Sequence, residues 1–315
     1  MKNLSIIFVF LFVLLIGACK KSDNNPESKY NYRLANLAQL IDDDVSFSVD
    51  FLYDGDRVIG WKEIDGSGSE FSVDVNYLEN NVVEFDISED IDGAVTEKMI
   101  YTFSNDLVEK VEELSKEDAE FVLDYLTTYN YNQNGDVTEI VESYFVDGTE
   151  QLQDKEIYSY NNDVLTETIN YQWYNEAWRE STKVVYHYEN GQLVNSDSYG
   201  YGNDIWNPYY KEEFVYLANG GSTPKVEKIY KYDFIGVDDW ELVLTTTYQY
   251  DGNGNITLEE KTYSNQNVAT SYTYDEKSGN LWLFGFNYTY GYPNPIYKKM
   301  VSRRSSVVNL PSLFK

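Results

Sequence analysis

Between about residue 45 and residue 290, apolar and polar residues alternate in short runs that are separated by turn residues. Around residue 187, Tyr186 and Tyr188 fall on one face of an extended strand and His187 on the other, because successive side chains point to opposite faces. Tyr, Val, Thr and Phe, which suit a pleated surface, are common in these runs. This two-residue period predicts a protein built from β-strands.

The alternating runs recur as one unit, which contains two aromatic residues one position apart, a turn of Asn, Asp and Gly, and a second strand. Asn190-Gly191 is such a turn, because both residues tolerate the positive φ angles that two-residue hairpins need, and it places Tyr188 opposite Leu193. Nine units predict roughly eighteen antiparallel strands. Their second aromatic residues are Tyr53, Tyr77, Phe103, Tyr131, Tyr160, Tyr188, Tyr216, Tyr250 and Tyr274.

We therefore expect an all-β fold of repeated antiparallel hairpins, rolled into a barrel-like or superroll sheet. An open sheet of this size would expose two strand edges and one aromatic face. A membrane-spanning barrel is disfavoured, because the alternate positions hold Glu, Lys, Thr and Asn instead of an apolar band. Residues 108–126 depart from the pattern, since they contain good helix formers and Ser115 is a suitable cap for one or two helical turns.

A second aromatic register lies at the other end of the strands. Three tryptophans each precede the second aromatic residue of the following hairpin by ten positions, and an aromatic residue also precedes each adjoining turn. An even separation predicts the same face of the strand, provided that no bulge intervenes. We expect one aromatic row at a single rim, which is either a plug over the end of the core or a platform for a chain-like ligand. The candidate residues are Trp173, Trp178, Tyr201, Trp206, Tyr232 and Trp240.

The first residues have the pattern of a lipoprotein signal. Lys2 precedes an apolar run, residues 4–16, that is too short for a comfortable bilayer span. The run ends in Leu-Ile-Gly-Ala-Cys, which resembles a lipobox, with the thiol of Cys19 as the lipid acceptor. We expect residues 1–18 to be a signal peptide, 19–40 a lipid-anchored tether and lead-in, and 41–290 a single repeat β domain.

The net charge is strongly acidic, with 24 Lys and Arg against 53 Asp and Glu. This balance disfavours nucleic acid and anionic membrane surfaces as partners. Residues 291–315 instead form a basic C-terminal tail without acidic residues. The expected partners are the membrane, through the lipid on Cys19, and a glycan or protein ligand. The expected location is the cell envelope at the outer membrane, with the periplasmic and surface faces, and the oligomeric state, left open.

The sequence offers few residues that could catalyse a reaction or bind a metal. His187 is the only histidine, so a histidine cluster for metal is excluded and a Ser-His-Asp triad would have to use this residue. Neighbouring acids such as Glu212 and Glu213 point to opposite faces of a strand. The loop 251–255 fails the EF-hand pattern, because Ile256 stands where glycine is needed. We expect no catalytic constellation, no metal site and no cofactor.

The Tyr-x-Tyr-[Asp/Asn] units followed by Gly-x-[Leu/Ile] resemble degenerate YD repeats, the building block of RHS-type shells. Together with the lipobox and the Tyr-Pro-Asn-Pro-Ile-Tyr at 292–297, they make the chain similar to a family of uncharacterised Bacteroidota lipoproteins with a porin-like β-fold. The resemblance implies no known activity. The expected function is a non-enzymatic binding or structural module that contacts a glycan or protein through aromatic surface. The alternative is a hydrolase acting on an envelope or dietary polymer.

Overall fold

A computed structural model gives the fold of the 315-residue chain. The structure describes residues 33–41, 44–55, 57–79, 81–88, 94–105, 107–162, 164–216, 224–233, 239–251, 256–263 and 267–275, with the pairs 286–287 and 292–293. All regular elements in these ranges are strands, as the alternating sequence predicts.

Eighteen strands form the main sheet, and two two-residue strands form a separate ladder. They are β1 Arg33–Ile41, β2 Asp44–Asp54, β3 Arg57–Asp65, β4 Glu70–Leu78, β5 Val82–Ser88, β6 Val95–Ser104, β7 Leu107–Glu117, β8 Glu120–Tyr131, β9 Val137–Val146, β10 Thr149–Asn161, β11 Val164–Tyr174, β12 Ala177–Glu189, β13 Gln192–Gly202, β14 Ile205–Tyr216, β15 Pro224–Asp233, β16 Asp239–Tyr250, β17 Ile256–Tyr263, β18 Asn267–Asp275, β19 Phe286–Asn287 and β20 Tyr292–Pro293.

Each strand from β1 to β17 pairs antiparallel with the next one along the chain. A ladder between β1 and β18, from Arg33 opposite Asp275 to Ile41 opposite Val268, closes the sheet into a barrel. Closure leaves the main sheet without a free edge. The predicted all-β, rolled antiparallel fold and its roughly eighteen strands are confirmed.

The helix predicted within residues 108–126 is wrong. This segment forms the β7–β8 hairpin, which turns at Asp118 with a positive φ of 54°. Both strands have long pairing partners, because Glu113 lies opposite Tyr125 and β7 also pairs with β6. Ladder hydrogen bonds and burial therefore override the local helix propensity of Glu, Lys and Leu.

The first strand lies in the segment that the sequence assigns to the tether and lead-in. β1 supplies the eighteenth strand of the barrel, where the repeat pattern places a strand after Tyr274. Most residues that follow Tyr274 lie outside the described part of the chain. The sequence of β1, Arg-Leu-Ala-Asn-Leu-Ala-Gln-Leu-Ile, has no aromatic pair, so the repeat pattern could not identify it.

The hairpin turns follow the predicted chemistry. Asn190 and Gly191 both have positive φ, 51° and 78°, and Tyr188 lies opposite Leu193 as predicted. At the other end of the strands, Asn175 and Glu176 form an equivalent two-residue turn with φ of 51° and 59°. These paired positive angles match the twist of the flanking strands and fix the register of each hairpin.

The barrel interior has two contrasting sectors. In the apolar sector, which we define as β2–β6, the buried inward side chains are mainly aliphatic and aromatic, and Trp61 is only 1% exposed. In the polar sector, β14–β18, buried inward positions include ionisable side chains. One buried cluster extends from the apolar sector to Val108 and Val111 of β7 and includes two tyrosines of the polar sector, Tyr248 and Tyr272.

Candidate functional site

Systematic bulges decide which face each aromatic residue occupies. Asn170 and Tyr171 of β11 pair with Thr182 and Glu180 of β12, respectively. Ser181 of β12 is therefore an extra residue without a partner on β11. Tyr209 of β14 and Val243 of β16 are extra in the same way. A bulge shifts the alternation of side chains by one position. It therefore separates each tryptophan from the face of the tyrosine ten positions later.

The six candidate rim residues form three cross-strand pairs beside hairpin turns. Trp173 lies opposite Trp178, Tyr201 opposite Trp206, and Tyr232 opposite Trp240. Their ring centroids are 5.0, 4.9 and 5.0 Å apart, with interplanar angles of 67°, 60° and 79°. Such edge-on and tilted contacts hold each ring pair in a defined orientation.

Lysine contacts place these pairs on the outer face of the barrel. The ammonium nitrogen of Lys155 is 4.9 Å from the ring centroids of both Tyr171 and Trp178. Glu156 follows Lys155 directly and shares the inward face with Tyr158, so Lys155 points outward. Trp178 therefore lies on the outer face together with Lys155.

The same arrangement recurs one hairpin further along the chain. The ammonium nitrogen of Lys183 is 5.2 Å from the Tyr199 ring centroid and 4.7 Å from that of Trp206. Lys211 is 5.9 Å from the ring of Tyr230 and forms an ion pair of 2.7 Å with Glu213. Each lysine links neighbouring strands through cation–π contacts.

All three pairs lie at one end of the barrel, because the tryptophans are the second residues of β12, β14 and β16, which run in the same direction. We call these six residues the aromatic rim. None of them belongs to a buried core cluster. A bulge intervenes in each of these strands, so the condition for a shared face with the tyrosine ten positions later is not met. The choice between a plug and a platform stays a prediction.

The opposite end carries the inward tyrosines, which are tied to the backbone. The Tyr77 hydroxyl donates to the carbonyl of Val58 at 2.8 Å, and the Tyr131 hydroxyl donates to that of Val108 at 2.7 Å. Tyr160 and Tyr216 repeat this bond, to Val137 and Leu193 respectively. The second aromatic residue of one hairpin thus fastens the preceding hairpin. We call these four bonds the tyrosine clasps.

Carboxylates line the interior between the two ends. Burial, followed by repulsion from Glu142, raises the pKa of Glu113 to about 7. Burial and then repulsion from Glu142 and Asp154 raise the pKa of Glu156 to about 7 as well. Tyr125 and Tyr144, which lie opposite each other near these acids, are 47% and 38% exposed. The interior around these acids and tyrosines is therefore acidic, aromatic and accessible to water.

Sequence reasoning missed the lysines of the outer face and the inward acids. Lys155, Lys183 and Lys211 recur at intervals of 28 residues (183 − 155 and 211 − 183), the same interval as several of the hairpins. This spacing is visible in the sequence but is independent of the aromatic pattern. Acids that are adjacent in the sequence point to opposite faces, whereas Glu113, Glu142 and Glu156 meet through the pairing of β7 to β10.

The remaining candidates add little chemistry. His187 Nε2 lies 2.8 Å from Asp197 Oδ2 on the outer face, and the histidine side chain is about half exposed. Within the described ranges, no group of three His, Cys, Asp or Glu residues could hold a metal ion. Nor does any helix in those ranges have the length and apolarity needed to cross a membrane. Cys19, the loop residues 252–255 and most of the basic tail lie outside the described residues.

Comparisons with known proteins return structural neighbours alone. A porin-like protein from Bacteroides vulgatus has 14% identity and a TM-score of 0.43, with 77% of this chain and 98% of that chain covered. One from Bacteroides uniformis has 13% identity and a TM-score of 0.42, with coverages of 78% and 99%. A Bacteroides fragilis protein of unknown function has 14% identity and a TM-score of 0.34, with coverages of 39% and 91%. No family model and no curated protein matches the chain.

Proposed function

We propose that the protein is an envelope-anchored lipoprotein that works as a non-enzymatic binding module, and that its aromatic rim contacts a glycan or a protein. The observation that carries this proposal is the outward position of three aromatic pairs at one end of the barrel. Rings with an apolar face and a polar edge suit sugar rings and peptide side chains. Their defined cross-strand geometry lowers the entropy lost on binding.

The direction of the strands places the rim at the end of the barrel opposite the start of β1. The rim lies where the even-numbered strands begin, whereas β1 begins at the opposite end, with Arg33 beside the last residue of β18. Residues 20–32, which would link a lipid on Cys19 to β1, would therefore join the barrel at the end remote from the rim. In this arrangement the rim faces away from the anchoring membrane and toward a partner.

The outer wall is unsuited to contact with lipid chains. In the middle of β5 and β6, Lys98 Nζ lies 2.9 Å from Glu84 Oε1 and 2.8 Å from Asp86 Oδ1. A barrel that crosses a bilayer needs an outward apolar band at this level. The charges favour a barrel that is held at the membrane by the lipid and is otherwise surrounded by water.

A glycan and peptide array probed with the chain from Ser28 onward tests the proposal. Binding should be found, and Trp206→Ala should weaken it at least about tenfold, the factor that corresponds to 1.4 kcal/mol. Tyr125→Ala is the matched control, because this tyrosine is exposed but points into the barrel. Equal losses in both variants, or none in either, would reject the rim as the binding surface.

The anchor is tested separately. Cys19→Ala should give a product that does not incorporate labelled palmitate and no longer fractionates with the membrane. A variant that keeps both properties would contradict the lipid anchor while leaving the rim proposal open to its own test.

The interior acids favour hydrolysis of a polymer as the second candidate function. Glu113 and Glu142 share the accessible end of the lumen, and the raised pKa of Glu113 suits a general acid near neutral pH. Polymer cleavage that is abolished by both Glu113→Gln and Glu142→Gln, but not by Trp206→Ala, would replace the binding function with this one.

A further inference from the structure

The polar sector contains two buried tyrosine–glutamate pairs. The Tyr248 hydroxyl donates to Glu227 Oε2 at 2.9 Å, and the Tyr272 hydroxyl donates to Glu259 Oε2 at 3.0 Å. Both carboxylates are 1% exposed, and the tyrosines are 4% and 6% exposed. Each pair joins adjacent strands, β15 with β16 and β17 with β18.

The two tyrosines also belong to the buried cluster of the apolar sector. Among the described residues, they are the buried side chains that β14–β18 contribute to it. Their hydroxyl groups therefore hold acids of one sector while their rings pack with apolar residues of the other. A change at the carboxylates acts directly on the packing between the sectors.

The pairs leave polar atoms without hydrogen-bond partners. Glu227 Oε1 has none among the described residues, and neither has the hydroxyl of Thr246, its direct cross-strand neighbour. A protonated carboxyl tolerates such a site far better than a carboxylate does, because burying an unpaired charge is much more costly than burying a neutral polar group. Ionisation of Glu227 would require water to enter next to it.

Burial and the neighbouring acids oppose the ionisation of Glu227 and outweigh Lys261 and the hydrogen bond from Tyr248, which favour it. The acids that face the cluster are Glu212 on β14, Glu227 on β15 and Glu259 on β17. Among the described residues they face one buried cation, Lys261, whose ammonium nitrogen lies 3.2 Å from Glu259 Oε1. β1 contributes the neutral Gln39. The other tyrosines that belong to this cluster or pack against it are Tyr53, Tyr77, Tyr101, Tyr129, Tyr250 and Tyr274. Tyr216 interacts with the charge of Glu227, and Tyr263 with that of Glu259.

We propose that the two tyrosine–glutamate pairs form a proton-controlled latch, which fastens the polar sector to the apolar cluster while Glu227 carries its proton. When Glu227 releases the proton to water, its carboxylate hydrates, Tyr248 loses its place in the cluster and the sector loosens. Burial and repulsion from Glu212 raise the pKa of Glu227 to about 8, which puts the release just above neutral pH. The latch is independent of what the rim binds.

Hydrogen exchange measured by mass spectrometry tests the latch. With intrinsic exchange rates corrected for pH, peptides from β16 and β18 should lose at least about tenfold protection between pH 7 and pH 9, while peptides from β4 and β5 keep theirs. Glu227→Gln should remove this loss. Glu241→Gln, at an exposed position of β16, should behave like the unmodified protein.

Two outcomes would overturn the latch: protection in β16 and β18 that is constant with pH, or an equal loss in Glu227→Gln. If Glu227→Gln does not fold, Tyr248→Phe tests the latch, because this variant keeps the acid and removes only the hydroxyl. Tyr248→Phe should show low protection from hydrogen exchange in β16 already at pH 7. Protection equal to that of the unmodified protein would show that the pair fastens nothing.

Discussion

The apolar sector, β2–β6, and the polar sector, β14–β18, lie on either side of β1 and are built from the same repeat, yet their interiors differ. At the first position of the aromatic pair, the apolar sector has Phe51, Val75 and Tyr101, all buried in one cluster. The polar sector has Phe214, Tyr248 and Tyr272 at this position, and the two tyrosine hydroxyl groups reach carboxylates on neighbouring strands. A repeat can thus keep its hairpin geometry while the buried acids Glu227 and Glu259 on neighbouring strands make one sector titratable.

The largest effect should follow from removing the centre of the apolar sector. Trp61 is 1% exposed, and its ring lies 6.3 Å from that of Phe51 and 5.9 Å from that of Phe85. Trp61→Ala should lower the free energy of unfolding by about 3–5 kcal/mol, because no neighbour can fill the cavity. Denaturant unfolding measures this loss. Trp206→Ala is the comparison, because this ring is only partly buried on the outer face, and an equal loss there would contradict the assignment of the rim.

Sequence patterns were sufficient for the repeat and the closed sheet but not for this contrast between sectors. The aromatic pairs and the Asn-Gly turns predict the hairpins because φ preferences and side-chain alternation act locally. The faces of Trp178 and Trp206 could not be predicted, since the bulges at Ser181 and Tyr209 are set by pairing with the neighbouring strand. β1 was missed because its role depends on a partner more than 200 residues away.

The inward acids should make stability depend on pH. Glu156 has its pKa raised by burial to about 7, above its ordinary value of 4.5, so the folded state binds more protons than the unfolded state between these values. The titration of Glu156 therefore leaves the free energy of unfolding at its maximum below about pH 4.5. Toward pH 7 it lowers this free energy by up to about 1.4 kcal/mol per pH unit.

Glu156→Gln should flatten part of this fall when unfolding is measured between pH 4.5 and 7.5. Glu241→Gln, at an exposed position, should leave the profile unchanged. A profile of the unmodified protein that rises with pH over this interval would contradict the buried, protonated state of the inward acids. The buried hydrophobic residues of the apolar sector add nothing to such a slope.

The tyrosine clasps should contribute equally in both sectors, because they depend on the hairpin and not on the interior. Tyr77→Phe in the apolar sector and Tyr216→Phe in the polar sector each remove one hydroxyl that donates to a backbone carbonyl. Each variant should lose about 1 kcal/mol of unfolding free energy. Tyr144→Phe is the control, because this tyrosine is 38% exposed. Costs that differ more than about twofold between the two sectors would show that the clasp depends on its surroundings.

The smallest expected effect concerns the bulges, which recur in both sectors and between them. Thr96 of β6 donates its hydroxyl hydrogen to the carbonyl of Ile87 at 3.4 Å, and Thr166 of β11 donates to that of Ser159 at 3.1 Å. Both threonines are the extra residues of their bulges, so the hydroxyl bonds to a carbonyl at the disrupted position of the ladder. Thr257 of β17 makes the same contact with Gln249 in the polar sector, at 3.4 Å.

Valine keeps the shape and the strand preference of threonine but removes the donor. Thr96→Val, Thr166→Val and Thr257→Val should therefore each cost about 0.5 kcal/mol, the lower end for one partly exposed hydrogen bond. Thr166→Ser, which keeps the hydroxyl, should restore most of the loss in denaturant unfolding. If the valine variants are as stable as the unmodified protein, the hydroxyl contributes nothing at these positions, and the extra residues are held by strand pairing alone. A loss confined to Thr257→Val would instead make the bulge contact a property of the polar sector, and the common geometry of the repeat would no longer account for it.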